Sequence, residues 1–125
     1  VQREYRLRRR NDFRRAFRLG TSTANRQFVV YRSPGAGPDS IRIGISVSRK
    51  VGNAVVRNRI KRLVKEITRQ WMDRLPDNVD LIVIARKPAA EMDYQQMHSS
   101  LRHLFRKSCL LTKETERMRN RGDSG

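Results

Sequence analysis

From Ile41 to Ser48 the chain alternates strictly, with Ile41, Ile43, Ile45 and Val47 separated by Arg42, Gly44, Ser46 and Ser48. A period of two over eight residues predicts a strand with one buried face. Three of the four residues on its other face are small, which leaves the backbone approachable from that side. Residues 79–86 (VDLIVIAR) are almost continuously apolar and predict a strand covered on both faces, ended by Pro88. Between these two the period changes. Val56, Ile60, Leu63, Val64, Ile67 and Trp71 fall within an arc of about 100° at helical pitch, predicting a helix over Ala54–Met72 with Asn53 as its cap. A second amphipathic helix is expected over Tyr94–Cys109, burying Met97, Leu101, Leu104 and Phe105. Upstream, 26–32 reads as a strand through Phe28–Tyr31, and Ser33–Ser40 (SPGAGPDS) as a loop with two prolines and two glycines. A short helix from the Asn11 cap to Leu19 places Phe13, Ala16 and Phe17 on one face and stops at Gly20. Residues 112–125 lack apolar periodicity and are expected to form a disordered basic tail on a single domain spanning 1–111. The order α-β-β-α-β-α predicts an α+β fold, a two-layer sandwich with helices on one face of the sheet and part of the other face open.

Charge narrows the function. Lys and Arg number 29 against 12 Asp and Glu, a net charge of +17. Such self-repulsion in a compact domain calls for an anionic partner, and nucleic acid supplies one through phosphate contacts and counterion release. An anionic membrane would require a helix with its apolar face turned outward, yet both long helices need theirs for the core. The longest apolar run, Leu81–Ala85, is too short to span a bilayer, and no signal-peptide pattern is present. With Cys109 alone there is neither a disulfide framework nor a zinc-ligand set, so a cytoplasmic setting is the simplest fit. Arg outnumbers Lys by 23 to 6. Guanidinium forks suit phosphates and bases, but base composition or heat adaptation would give the same bias, so this count decides nothing.

The cations concentrate in Ser46–Arg62 (SVSRKVGNAVVRNRIKR) and beyond. At helical pitch Asn58, Arg62, Lys65 and Arg69 form a stripe opposite the apolar arc, flanked by Arg57, Arg59 and Lys61. An ordinary solvated face mixes signs to gain support between neighbouring turns, whereas only Glu66 and Asp73 oppose these cations. Arg49 and Lys50 precede the helix, whose N-terminal N–H groups also favour anions.

This segment, built around Arg57-Asn58-Arg59, resembles the signature of the bacterial ribonuclease P protein component family. The resemblance extends to Asn25-Arg26-Gln27-Phe28, Ile84-Ala85-Arg86-Lys87-Pro88-Ala89, Leu104-Phe105-Arg106-Lys107 and the positions of Phe13 and Phe17, from about Arg6 to Cys109. Proteins of this family assist a catalytic RNA that removes the 5′ leader from precursor tRNA. The resemblance therefore implies two partners, the catalytic RNA subunit and the precursor-tRNA leader. It also implies no cofactor bound by the polypeptide, with magnesium held in the holoenzyme by the RNA and needed at lower concentration when the protein is present. By position, Arg57, Asn58, Arg59, Lys61 and Arg62 are the RNA-subunit contacts, with Lys65 and Arg69 continuing their stripe. Phe13, Phe17, Tyr31, Ser48, Arg49, Lys50, Arg86 and Lys87 are the leader-side candidates. The family further implies a left-handed crossover between strands 41–48 and 79–86, against the usual rule for such units.

Residue chemistry fits, since single-stranded RNA is held by aromatic platforms beside a basic track. Phe13 and Phe17 are one turn apart, although two such rings would equally serve a core, and a strand tyrosine such as Tyr31 commonly sits at a core rim. No catalytic residues are expected. His98 and His103 are five apart and do not stack on one helical face, Cys109 has no activating histidine, and Asp80 reads as a residue at the start of a strand. A ribosomal protein would share the charge and the fold class and is separated by the Arg57-Asn58-Arg59 block. A nuclease with its own active site lacks its constellation, and no helix-turn-helix or zinc pattern supports DNA binding.

Overall fold

A computed structural model describes residues 14, 18, 20–35, 41–75 and 79–108. Of the helix expected at 11–19, Arg14 and Arg18 are helical and exposed, while Phe13 and Phe17 lie outside the described residues, as do Cys109 and the tail expected at 112–125. The elements are β1 (Thr21–Ala24), β2 (Phe28–Pro34), β3 (Ile41–Val47), α1 (Ala54–Arg69), β4 (Val79–Ala85) and α2 (Tyr94–Lys107), with 3₁₀ turns at Met72–Arg74 and Lys87–Glu91. The strands form one mixed sheet in the order β1-β2-β4-β3. β2 is antiparallel to β1 and β4, and β3 is parallel to β4. The fold is α+β, as the alternation of periods predicts.

β1 is a strand the sequence reading missed. Its residues, Thr-Ser-Thr-Ala, are mostly exposed and show no apolar alternation, because β1 is an edge that buries almost nothing. Its link to β2 is made by Asn25, whose Oδ1 accepts from the backbone N–H groups of Gln27 (3.0 Å) and Phe28 (2.8 Å). β2 also runs into the predicted loop, adding Ser33 and Pro34, with Pro34 opposite Val79. Pro34 lies past the last β1 pair, Thr21↔Arg32, where β2 has only one neighbour and a missing N–H is tolerated.

Both helices lie on one face. Ile60, Val64 and Ile67 of α1 and Met97, Leu101, Leu104 and Phe105 of α2 join Phe28, Val30, Leu81, Val83 and Ala85 in the main core. The other face carries a second, smaller cluster of Ile82 with Tyr31 and Ile84. β4 sits between the two, and Leu81, Ile82 and Val83 are fully buried, as the unbroken apolar run predicts. Most of these side chains vanish from solvent entirely, each contributing about 1.5–3 kcal/mol by burial.

Asn53 caps α1, accepting from Val56 N–H at 3.0 Å. The helix ends three residues before the predicted Met72, because the last turn tightens: Gln70 and Trp71 donate to Ile67 and Thr68 rather than one residue further back. Trp71 stays buried beyond the helix against Phe105, ring centres 5.1 Å apart. α2 begins with a capping box between Asp93 and Gln96 and closes at Lys107, short of the predicted Cys109. A Cβ at Gly52 would stand 2.8 Å from Val56 Cγ1 and 2.9 Å from Val56 Cβ. A β-branched side chain inside a helix has little freedom to move aside. Gly52→Ala is therefore expected to destabilise by about 1–3 kcal/mol, measurable as a lowered urea midpoint with an unchanged slope.

Candidate nucleic-acid interface

α1 presents its cations as helical pitch requires, but not all equally. Asn58, Lys61, Arg62, Lys65 and Arg69 are exposed, while Arg57 and Arg59 are half-buried at the flanks of the apolar arc. Arg59 reaches across to the segment before α2, where its Nη2 donates to the Met92 carbonyl at 2.8 Å. Arg57 keeps its Nε buried without a hydrogen-bond partner among the described residues. Thus five of the seven predicted RNA-subunit positions stand out into solvent, and Arg59 serves as a tether to the segment before α2.

The remaining described candidates come from three places in the chain. β3 and β4 run parallel with Val47 opposite Ala85, so both strands end together. Ser48, Arg49 and Lys50 follow β3 in a turn closed by Val51 N–H donating to the Ser48 carbonyl at 3.0 Å. Arg86 and Lys87 follow β4 at the same end, and all five side chains are exposed. Residues about forty positions apart in sequence are thereby gathered beside the N-terminus of α1, whose free N–H groups add to the attraction for anions.

Arg86 is held rather than loose. Its backbone N–H donates to the Gln27 carbonyl at 2.7 Å and its Nη1 to the Asn25 carbonyl at 3.1 Å. Asn25 is anchored in turn, its Nδ2 donating to the carbonyl (3.1 Å) and Oγ (3.0 Å) of Ser100 in α2. Ser100 Oγ donates to Gln27 Oε1 at 3.1 Å, and Lys107 Nζ reaches the Ala24 carbonyl at 3.2 Å. Asn25, Gln27 and Ser100 thus form a hydrogen-bonded support beneath Arg86 that pattern reasoning did not assign. The signal in sequence for Asn25 and Gln27 was only the Asn25-Arg26-Gln27-Phe28 block, and Ser100 had none.

Tyr31 lies on the face turned away from both helices, half-buried and packed with Ile82. Across the sheet its row reads Ser22, Tyr31, Ile82, Gly44, two small residues flanking an apolar centre. Three residues separate Ile82 from the end of β4, so this platform stands about 10 Å from the basic end. At the opposite end of the same face, Arg42 meets Asp80 through two parallel bonds, Nε to Oδ1 at 3.0 Å and Nη2 to Oδ2 at 2.8 Å. Asp80 is 1% exposed, and its role is to close this ion pair inside the sheet. No three His, Cys, Asp or Glu side chains come together as a metal site among the described residues.

The histidines are separate in space as well as in sequence. His103 is exposed, whereas His98 is half-buried with its ring edge-on to Trp71 at 5.4 Å. Burial, and then the charge of Arg102 one turn away, push the His98 pKa below its ordinary value and keep the imidazole neutral. No helix among the described residues is long and apolar enough to cross a membrane.

The sequence model of the family described as Ribonuclease P matches residues 1–109. The chain is 43% identical over 117 residues to the ribonuclease P protein component of Bacillus pumilus, covering 94% of this chain and 98% of that one. It is 44% identical over 111 residues to the corresponding protein of Halalkalibacterium halodurans, covering 89% and 93%. Among solved structures it resembles the RNase P protein of Staphylococcus aureus, with a TM-score of 0.81 at 42% identity over 86% of this chain and 98% of that one. The RNase P protein of Thermotoga maritima is similar at a TM-score of 0.72 and 37% identity, over 82% and 96%.

Proposed function

The chain belongs to the ribonuclease P protein family, and on that footing we propose how its surface is divided between two RNAs. As a family member it is the protein subunit of ribonuclease P, the ribonucleoprotein endonuclease that matures the 5′ end of tRNA, and its partners are an RNA subunit and the tRNA substrate. In the proposed division, Asn58, Lys61, Arg62, Lys65 and Arg69 on α1, with Arg57 and Arg59 at its flank, contact the RNA subunit. The 5′ leader runs along the face of the sheet turned away from both helices, with Tyr31 as a platform and Ser48, Arg49, Lys50, Arg86 and Lys87 as its basic end. Phe13 and Phe17 complete the leader side. The observation that carries this reading is the convergence of Ser48–Lys50 and Arg86–Lys87 where the parallel β3 and β4 finish together. A basic cluster beside an aromatic platform suits a single strand, while a cationic helix suits the closely spaced phosphates of a folded RNA.

The polypeptide positions and neutralises; it supplies no general acid–base pair or nucleophile in this reading. Cleavage and its magnesium ions belong to the RNA, and the work takes place in the cytoplasm. The protein acts by offsetting phosphate repulsion between the RNA subunit and the substrate, which otherwise demands more divalent cation.

Precursor-tRNA cleavage at low magnesium, with protein alone, a bacterial ribonuclease P RNA alone, and both together, tests this directly. Cleavage is expected only in the mixture. Activity from the protein alone after rigorous RNA removal would place an active site in the polypeptide. An inactive mixture, with the RNA active at high magnesium, would instead favour a ribosomal role.

A further inference from the structure

On the helix layer, away from the opposite face of the sheet, a cleft of about 410 Å³ lies where the end of α1 meets the start of α2. Gln70, Tyr94, Gln95, His98, Ser99 and Arg102 line it. Its size sits at the lower end of the ~300–1,000 Å³ range of small-ligand sites. The walls are ordered from within. Phe105 and Trp71 are in contact in the core, His98 packs edge-on against Trp71, and Tyr94 lies 6.1 Å from His98 at 38°. This aromatic series thus leads from the core to a tyrosine that is 37% exposed, one of two large side chains of apolar character left open to solvent among the described residues. Gln70 Nε2 donates to the Tyr94 hydroxyl and fixes the ring's position across the cleft.

We propose that this cleft holds an unpaired nucleobase of the RNA subunit, stacked on Tyr94 at the end of the α1 cation track. The proposal rests on the reading of the chain as an RNA-binding subunit and adds a contact outside both surfaces assigned above. Three features select a base over a phosphate or an apolar partner. First, the lining groups are mainly two-way hydrogen-bonders: Gln70, Gln95 and Ser99 both donate and accept, as base edges require, whereas a phosphate calls only for donors. Second, a neutral His98 offers one donor and one acceptor from its ring, and Arg102 supplies a planar guanidinium of the kind that stacks on bases. Third, the cleft continues an RNA-facing surface. Arg62, Lys65 and Arg69 climb α1 at three- and four-residue intervals, and Gln70 directly follows Arg69 as the helix cap. A strand of RNA whose phosphates follow these cations delivers its next base to the cleft.

The test measures binding of a bacterial ribonuclease P RNA to the full chain at several salt concentrations. Tyr94→Ala should weaken binding about five- to a hundred-fold, the effect of losing one base stack, while the slope of log affinity against log salt stays that of the unaltered chain. Arg62→Ala, as the contrast, should reduce that slope by about 0.9. Tyr94→Phe keeps the ring and should retain most of the affinity. Ser99→Leu adds bulk to the cleft from an exposed position and removes no core contact, so it should weaken binding even if Tyr94→Ala perturbs α2. Unchanged binding by both Tyr94→Ala and Ser99→Leu would overturn the proposal. So would equal losses for Ala and Phe, a slope change with Tyr94→Ala, or weakening confined to leader-bearing precursor tRNA. Failure of the unaltered chain to bind the RNA would instead sink the subunit reading itself, and this inference with it.

Discussion

Arg42→Ala is expected to destabilise the protein by about 3–5 kcal/mol, lowering its melting temperature on the order of 10–20 °C. Arg42 and Asp80 sit opposite each other in the parallel β3–β4 register and share two hydrogen bonds. Asp80 is 1% exposed and Arg42 19%. Removing the guanidinium leaves a buried carboxylate in the sheet without the counter-charge that offset its desolvation. The loss is not the worth of the pair. Replacing both residues together, Arg42→Met with Asp80→Leu, removes the desolvation cost along with the attraction and should recover most of the stability. Thermal unfolding of the two single variants and the double variant checks this. A double variant as unstable as Arg42→Ala would mean that the pair stabilises the fold outright. An Arg42→Ala protein melting within a few degrees of the original would mean that the carboxylate finds another partner.

Binding of the RNA subunit should fall several hundred-fold between 50 and 200 mM salt. The size follows from counterion release: if α1 and its flanks neutralise about five phosphates, the log–log slope is near −4.5, and a fourfold rise in salt costs some 2.7 decades. Filter binding across that range measures it, and a flat response would remove the electrostatic account of the +17 charge. The structure also says which substitutions interpret cleanly. Arg62 and Lys65 are exposed, so each alanine variant should remove about one unit of slope and little stability. Arg59 is a poorer choice, since its guanidinium also holds the Met92 carbonyl and its loss loosens the approach to α2.

What could be read from the sequence follows the range of the interaction concerned. The alternation of Ile41, Ile43, Ile45 and Val47, the unbroken Leu81–Ala85 run and the arc from Val56 to Trp71 each report a local period, and β3, β4 and α1 form where those periods place them. β1 buries too little to leave a pattern, and its existence depends on β2 offering a free edge and on the Asn25 turn. The end of α1 was misplaced because Trp71 continues the apolar arc while the backbone has already tightened. Among site residues, the outward stripe of α1 was visible because helical pitch alone sets it. The Arg42–Asp80 pair spans 38 residues and the Asn25–Ser100 bonds span 75, distances over which no periodicity carries information. Asp80, an ordinary residue at the start of a strand by sequence, acquires its purpose only from the register of a neighbouring strand.

That register has a thermodynamic corollary. The basic end of the sheet is assembled only when β3 and β4, separated by the whole of α1, have paired in parallel. Parallel pairing across such an interval is among the later and slower steps open to a chain, because loop closure precedes any reward. A ligand that needs both strand ends therefore recognises the native state and nothing before it. Such a ligand stabilises by mass action, by about 2.7 kcal/mol at a hundred times its dissociation constant, while relieving the repulsion among the gathered cations. The abundance of the protein in a cell would then follow the supply of leader-bearing substrate, the strand assigned to those ends: copies in excess of it unfold more often and are cleared first.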